Sequence, residues 1–346
     1  MKTAFLTGLQ RVSKRSPSNI GALKAFPVQL RRGQQHHPND NLRSAISSRR
    51  LHNNNNNNNN NMPQQSGLVA NETVRQSPQF IALEGLLTTT VAEANPLQRF
   101  CDPVEQKLQS NANDNADDVA EELNIGWKAI ITKAAATPHE DNSGGRSALA
   151  AFLVSLSQKR ADGQQPDSSY GTVHEMKVWQ DLPTFGWSVR DAWNFPAEDN
   201  SPPEEKQRWI NVNAFVATLV DQLQDKANNN PDLSLFAIWT IRDALEEENV
   251  SDAALAAASV WFIYAAPALL KFSKDKKSFE GKVAKGGFAH QDAGWTGYSP
   301  ARWQVWQQRL DSIRGEVKEA ETKRLVQAAV DAIGNTKIHY TRSNRS

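Results

Sequence analysis

Residues 201–224 read Ser-Pro-Pro-Glu-Glu-Lys-Gln-Arg-Trp-Ile-Asn-Val-Asn-Ala-Phe-Val-Ala-Thr-Leu-Val-Asp-Gln-Leu-Gln, and this stretch decides the fold class. Ser201 is a good N-cap, proline suits a first helical turn, and the two glutamates favour the positive end of a helix dipole. Apolar side chains then recur at helical spacing, at Trp209, Val212, Phe215, Val216 and Leu219. The stretch therefore predicts a helix with one buried face.

The same pattern recurs over most of the chain, and no stretch alternates apolar and polar residues for long enough to predict a strand. The sequence predicts an all-α fold of nine or ten helices, either a multi-helix bundle or a short solenoid-like array of helix pairs. The region from Lys271 to Gly297 is predicted to be a long loop, with its Gly281–Gly287 part flexible and solvated. One predicted helix begins near Pro78, and two more cover 117–136 and 148–159. Four further helices are predicted to begin at Pro183, Ser201, Pro231 and Ser251. The last helical region is predicted from Ser299 to Ile333, with a break near Gly315.

One short sequence occurs twice. Four of seven residues are identical between Trp187-Ser-Val-Arg-Asp-Ala-Trp193 and Trp239-Thr-Ile-Arg-Asp-Ala-Leu245. The sequence shift that aligns these two copies also aligns Trp209 with Trp261. We interpret each copy as part of a helix pair, in which equivalent faces of neighbouring pairs would stack.

This repeat supplies the candidate ligand pocket. In each copy an arginine follows a tryptophan by three residues, which places it on or beside an apolar face. Stacked copies would bring Arg190 close to Asp243, or Arg242 close to Asp191. One interpretation is a pocket for an anionic ligand; the other is a structural ion pair or cation–π contact. The predicted pocket residues are Trp187, Arg190, Asp191, Trp239, Arg242 and Asp243.

Several kinds of chemistry find no support in the sequence. One cysteine, Cys101, excludes an intramolecular disulfide and a cysteine-built zinc site. It lies beside Asp102-Pro103 in a turn-like context without a reason to be a reactive thiolate. None of the histidines His139, His174, His290 and His339 has a second histidine or a carboxylate three or four residues further on. No nucleophile elbow, phosphate loop or kinase motif is present. The sequence therefore predicts no catalytic residue, metal or cofactor.

The segment from Ala253 to Leu270 contains eighteen residues without a charge. This length is at the short end for a membrane span, and alanines, Pro267 and Ser259 lower its hydrophobicity. A helix that is apolar on all sides is more often the centre of a soluble bundle. We therefore predict a buried helix containing Trp261, and no membrane span.

The chain has 346 residues and a net charge of +1, which is unevenly distributed. Residues 1–61 carry ten basic residues and one acid, whereas the remainder carries 29 basic and 37 acidic residues, a net of −8. An acidic body is a poor match to nucleic acid. We predict a disordered basic head over 1–61, a linker over 62–78, one helical domain over 79–334 and a disordered tail over 335–346.

The head has the features of a mitochondrial transit peptide. Phe5, Leu9 and Val12 recur at helical spacing among basic residues, and no acid precedes Asp40. The head lacks the apolar run of a secretory signal. The sequence therefore predicts a mitochondrial location, with a cytoplasmic or nuclear protein as the alternative.

Several tryptophan-containing strings resemble a fungal family known as a domain of unknown function. They are Trp179-Gln-Asp-Leu-Pro183, Arg190-Asp-Ala-Trp-Asn194, Trp209-Ile-Asn-Val-Asn-Ala-Phe215, Trp239-Thr-Ile-Arg-Asp-Ala-Leu-Glu-Glu247 and Arg302-Trp-Gln-Val-Trp306. The resemblance covers residues 178–310 and implies a helical body. It brings no activity, cofactor or catalytic residue.

Two functions follow from these observations. The first is a non-enzymatic scaffold or interaction module with a protein partner. The second is a cofactor-free enzyme, or a protein that binds a small molecule or anion in a pocket lined by tryptophan and arginine.

Overall fold

A computed structural model describes residues 68–88, 95–110, 116–140, 144–160, 170–224 and 231–343, with the side chains of 116 and 337–343 excepted. The chain divides into two units, residues 1–60 and 61–346, and all described residues belong to the second. The predictions for the head and for the last residues 344–346 lie outside the described residues.

The described residues form eleven α-helices and one very short hairpin, which confirms the all-α prediction. The helices are α1 Glu72–Arg75, α2 Pro78–Leu87, α3 Pro96–Ser110, α4 Ala116–Ala136, α5 Gly145–Gln158, α6 Phe185–Trp193, α7 Pro203–Leu223, α8 Ser234–Leu245, α9 Asp252–Lys274, α10 Pro300–Ile313 and α11 Ala320–Ser343. The strands β1 Thr172–Val173 and β2 Met176–Lys177 pair antiparallel, and a 3₁₀ turn covers Phe288–His290.

The helix α9 lies at the centre of one half of the molecule. It packs against α7, α8, α10 and α11, while α7 also contacts α4 and α5. Helices that contact several non-sequential neighbours form a bundle rather than a linear stack. Among the described residues, α9 alone has the length and apolarity of a membrane span, and 78% of its apolar window is buried inside the protein. Trp261 is fully buried, as predicted.

Asn213 of α7 fixes the register of four helices. Its amide donates to the Trp209 carbonyl at 2.9 Å, and its Oδ1 accepts from Trp261 Nε1 at 2.8 Å and from Thr240 Oγ1 at 3.1 Å. Trp193 Nε1 donates to the same threonine hydroxyl at 3.0 Å. A buried polar group is tolerated when each donor and acceptor has a partner, and such a network favours one packing arrangement over others.

Helix starts agree with the sequence signals to within a few residues. Ser299 and Ser251 accept from the third backbone N–H of α10 and α9, as N-caps do. At α7 the cap is Pro202 instead of the predicted Ser201, whose hydroxyl accepts from the Glu198 N–H at 3.0 Å. The break near Gly315 is present between α10 and α11.

Three predictions about helix and domain boundaries need correction. The turn-like context assigned to Cys101 is the middle of α3, which contains Pro103. The linker prediction for 62–78 overlaps the core, because Leu68, Ala70 and Val74 are buried in it. The tail predicted from residue 335 begins inside α11, whose backbone is helical to Ser343.

Candidate functional site

An arginine–tryptophan stack joins α6 to α8. The Arg190 guanidinium lies 4.5 Å from the ring centroid of Trp239, and the two helices are held together below it by Trp193 against Phe236, whose ring centroids are 4.9 Å apart. The Trp239 indole N–H donates to the Val283 carbonyl at 2.8 Å. The stack is therefore fixed on one side by a helix and on the other by the loop after α9.

Trp187 extends this surface along α6. It lies one helical turn before Arg190, on the same face, and half of it is exposed (49%), with the His174 ring 5.1 Å away. Val283 is similarly exposed, at 45%. We call Trp187, Arg190, Trp239 and Val283 the aromatic strip. It contains two of the four large hydrophobic side chains that are exposed among the described residues.

A tight hairpin places His174 beside Trp187. Residues His174 and Glu175 connect β1 to β2 and have φ values of 51° and 63°, which is the two-residue type I′ geometry. Val173 on β1 is buried and pairs with Met176 on β2. The hairpin is thus anchored by its apolar side, and its turn projects next to α6.

The loop from residue 275 to 299 carries Val283, and a buried arginine holds it in place. Arg302 Nη1 donates to the carbonyls of Ala284 at 2.7 Å and Gly297 at 2.9 Å, and Nη2 donates to that of Lys285 at 3.3 Å. The remaining donors bind Glu246, with Nε at 2.7 Å from Oε1 and Nη2 at 3.0 Å from Oε2. Both side chains are fully buried.

Two more donors complete the carboxylate's coordination. Trp306 Nε1 donates to Glu246 Oε1 at 2.6 Å, and the Gly287 N–H donates to Oε2 at 2.8 Å. Glycine is required at 287, because a Cβ there would lie 2.6 Å from the Glu246 carbonyl oxygen. Residues 281–287, predicted to be a flexible solvated loop, are therefore tied to the core at Ala284, Lys285 and Gly287.

The six predicted pocket residues do not all come together. Arg190 and Trp239 form the stack. Arg242 bonds its own neighbour Asp243, with Nε 3.1 Å from Oδ1, so the predicted Arg190–Asp243 and Arg242–Asp191 contacts are wrong. The long arginine side chain reaches an adjacent residue by folding back along the helix surface.

Asp191 lies apart from the stack. It lines a cleft of about 240 Å³ between α4 and α6, together with Lys128, Ile131, Ser188, Asn194 and Phe195. Trp187 contacts His174, as described above. The structure thus distributes the predicted residues over the strip, the Arg242–Asp243 pair and this cleft.

The two copies of the repeated sequence occupy corresponding positions in the order of elements. Trp193 ends α6 and Leu245 ends α8, while Trp209 and Trp261 lie on the helices that follow. Their surroundings differ, since Trp187 is half exposed and Trp239 is bonded to a loop carbonyl. The repeat stays a prediction.

Glu105 of α3 is a second buried glutamate. Glu105 accepts from Trp179 Nε1 at 3.0 Å and from Lys159 Nζ at 2.7 Å. Burial lowers the pKa of Lys159, but bonds to Glu105 and Tyr170 outweigh it and raise the pKa overall. Cys101 lies nearby in the core, and burial raises the pKa of its thiol. The thiol is therefore protonated at neutral pH, in agreement with the expectation that it is unreactive.

Comparison with known proteins gives one match. The family described as "Protein of unknown function (DUF3632)" matches residues 127–310. The chain belongs to this family. No curated protein and no solved structure matches it.

The family match begins upstream of the resemblance noted in the sequence, at Trp127 in α4 instead of Val178, and ends at Leu310 in α10. It includes the whole aromatic strip and both members of the Arg302–Glu246 pair. The helices α1 to α3 and α11 lie outside it. The family segment therefore contains the candidate surface together with the buried groups that hold it.

Proposed function

We propose that this protein is a non-enzymatic helical interaction module that binds a partner protein through the aromatic strip. The observation that carries this proposal is the Arg190–Trp239 stack at 4.5 Å, with a half-exposed tryptophan one turn away on the same helix face. Tryptophan and arginine are the side chains most enriched among residues that dominate binding energy at protein interfaces.

The strip is assembled before a partner binds. The Arg190 side chain rests on a ring that is itself bonded to Val283, and the loop carrying Val283 is fixed by Arg302. Immobilising a flexible side chain on binding costs about 0.5–1.5 kcal/mol. A stacked guanidinium has already lost part of that freedom, which favours binding at this surface.

The charges near the strip indicate the chemistry of the partner. Arg190, Lys282 and Lys285 are exposed and basic, although residues 62–346 as a whole carry a net charge of −8. An exposed guanidinium stacked on an aromatic ring would orient an acidic segment that also carries apolar side chains. We therefore expect an acidic, apolar partner segment.

The alternative, a small-molecule or anion-binding protein, has less support. The cleft at Asp191 is about 240 Å³, which is below the 300–1,000 Å³ typical of ligand pockets. A larger groove between α10 and α11 is open to solvent, and none of the six predicted residues lines it. The tryptophans Trp127, Trp179, Trp261 and Trp306 are fully buried core residues.

The proposal is tested with the tagged full-length protein in its native cell. We expect the variant Trp187→Ser/Val283→Ser to lose at least one co-purifying protein by about tenfold or more, because the substitutions remove apolar contact area at the centre of the interface. Quantitative mass spectrometry measures the difference. Unchanged thermal unfolding of the variant shows that the fold is intact.

The matched control is Phe195→Ser, which removes a side chain of similar exposure (51%) outside the strip. This variant should retain every partner that the wild-type protein captures. An identical set of proteins captured by wild type and by the strip variant would contradict the proposal.

A further inference from the structure

Three side chains that could bind a metal ion meet between the turn after α4 and the start of α11. One ring nitrogen of His139 and one carboxylate oxygen each of Glu140 and Glu321 lie within 4.8 Å of one another. His139 is almost completely buried, whereas both glutamates are exposed. The group therefore lies at the surface, with the histidine at its base.

The hydrogen bonds of His139 determine which nitrogen is available. The Tyr264 hydroxyl donates its single proton to the His139 carbonyl oxygen at 3.0 Å, and it also lies 3.1 Å from His139 Nδ1. With the hydroxyl proton on that carbonyl, the tautomer that satisfies both contacts has the ring proton on Nδ1, which donates to the hydroxyl. This tautomer leaves Nε2 with a free lone pair.

The histidine is also held in place and kept neutral. Its backbone N–H donates to Asn211 Oδ1 at 3.0 Å, and the Asn211 amide donates to the Ala135 carbonyl at 2.9 Å. Burial lowers the pKa of His139, against the opposing effect of Glu140 and Glu321. Metal-binding histidines are typically neutral and donate their other ring N–H to an oxygen atom, as His139 does in this tautomer.

A guanidinium brings the two carboxylates together. Arg324 Nη1 lies 2.6 Å from Glu140 Oε1, and Nη2 lies 2.6 Å from Glu321 Oε1. The bond from Arg324 lowers the pKa of Glu321, so this carboxylate stays charged to lower pH. Arg324 is half exposed and also lines the open groove between α10 and α11. It has room to turn away into solvent.

We infer that His139 Nε2, Glu140 and Glu321 form a site for a divalent transition metal ion, of which Zn²⁺ is the representative, and that Arg324 occupies the cation's place when the metal is absent. One imidazole and two carboxylates suit Zn²⁺, whereas Mg²⁺ and Ca²⁺ prefer oxygen ligands alone. Water would complete the coordination on the solvent side.

A second cation, Arg146, lies near the site. It donates to the His139 carbonyl and stacks 3.6 Å from the Tyr264 ring centroid, and its positive charge weakens metal binding.

The competition between Arg324 and the metal gives the site a distinctive property. Arg324 binds the same two carboxylates as the metal, so removing its charge should strengthen metal binding. An unrelated metal-binding group elsewhere on the chain would not respond to this substitution. The inference does not depend on the proposed interaction function.

The test is calorimetric titration of the full chain with Zn²⁺, after removal of bound metals by a chelator. A His36→Gln/His37→Gln background removes the adjacent histidines of the head, which could bind Zn²⁺ by themselves. We expect one Zn²⁺ per chain, about tenfold weaker or undetectable binding in Glu321→Gln, and about tenfold tighter binding in Arg324→Gln. Ca²⁺ should bind more weakly than Zn²⁺.

The matched control is Glu319→Gln, which removes a carboxylate of similar exposure just before α11 but outside the group. It should bind Zn²⁺ as the unsubstituted background does. No saturable Zn²⁺ binding, binding that persists unchanged in Glu321→Gln, or weaker binding in Arg324→Gln would each overturn the inference. Circular dichroism checks that the variants are folded, and Arg324→Gln alone decides the outcome if Glu321→Gln does not fold.

Discussion

Arg302 and Glu246 form a two-pronged ion pair from which water is excluded, with Nε 2.7 Å from Oε1 and Nη2 3.0 Å from Oε2. Every donor of the guanidinium has a protein acceptor, and the carboxylate accepts two further bonds. Desolvating two charges is costly, and the pair is tolerable because its hydrogen bonds are complete. Its position between α8, α10 and the 275–299 loop makes it the anchor of the loop.

Removing either partner should strongly destabilise the protein. We expect Arg302→Met and Glu246→Met each to lower the free energy of unfolding by about 3–5 kcal/mol, because each leaves an uncompensated buried charge. The double variant should lose less than the sum. Urea denaturation of the full chain measures these values, and Arg242→Ala, at a partly exposed pair, should cost less than about 1 kcal/mol. Equal effects at the two arginines would contradict this account.

A methyl group at position 287 should loosen the loop. In Gly287→Ala the new Cβ would lie 2.6 Å from the Glu246 carbonyl oxygen and 2.7 Å from its Cβ, so the backbone must shift. We expect a loss of about 1–3 kcal/mol in urea denaturation. The control Gly315→Ala has nothing within 4 Å of its Cβ and should change stability by less than about 1 kcal/mol.

His139 should make the protein less stable in mild acid. Burial lowers its pKa in the folded state below the ordinary value of 6.5, so the unfolded chain binds the proton more readily. The free energy of unfolding should therefore fall as the pH drops below about 6.5, by at most about 1.4 kcal/mol per pH unit, until the folded-state pKa is reached. Urea denaturation between pH 7.5 and 5 measures the slope.

The control for this experiment must allow for the charged and titratable side chains around His139. Glu140, Glu321, Arg146, Arg324 and Tyr264 surround it, and of these only the two glutamates favour the protonated ring. Substitution His139→Gln should reduce the slope between pH 6.5 and 5. A steeper slope in His139→Gln would show that the ring gains a proton on folding.

Residues 1–61 should act as a mitochondrial targeting signal and should not be part of the folded domain. Residues 1–61 fused to a fluorescent reporter should direct it to mitochondria, because the segment is amphipathic, basic and nearly free of acids. Replacing Arg11, Lys14 and Arg15 with glutamine should abolish import. The chain from residue 62 onward should still unfold cooperatively, since it contains all the described residues of the core, from Leu68 on. A reporter that stays diffuse in the cytosol would contradict the targeting prediction.

The sequence predicts the extents of α7 and α9 well, because apolar spacing is a local property, and it predicts the Ser251 cap of α9. It fails at α3, where Asp102-Pro103 resembles a turn although the surrounding core keeps the chain helical. It identifies Arg190 as a residue beside an apolar face but assigns the wrong partner, since a stack on Trp239 depends on how two helices cross. It does not predict the Arg302–Glu246 pair, because no local pattern specifies which distant acid meets an arginine.

The metal-binding group illustrates the same limit. Glu140 and Glu321 are far apart in the chain, and neither has a histidine at helical spacing. The turn that contains Glu140 is tied to α7 and α9 by the bonds of His139 to Asn211 and Tyr264, and the packing of α11 against α9 brings Glu321 to it. The adjacent pair His139-Glu140 is a weak sequence signal for a metal site. Such dipeptides are common, and they do not indicate where in the chain a third ligand lies.

The loop from 275 to 299 has a further consequence for how this surface can change over evolutionary time. Arg302 holds the loop through hydrogen bonds to the main-chain carbonyl oxygens of Ala284, Lys285 and Gly297. Every amino acid has such an oxygen. These hydrogen bonds do not involve the exposed side chains of Lys282, Val283, Lys285 and Phe288. These side chains can therefore be exchanged, and the chemistry of the surface changed, while the backbone bonds that hold the loop are kept.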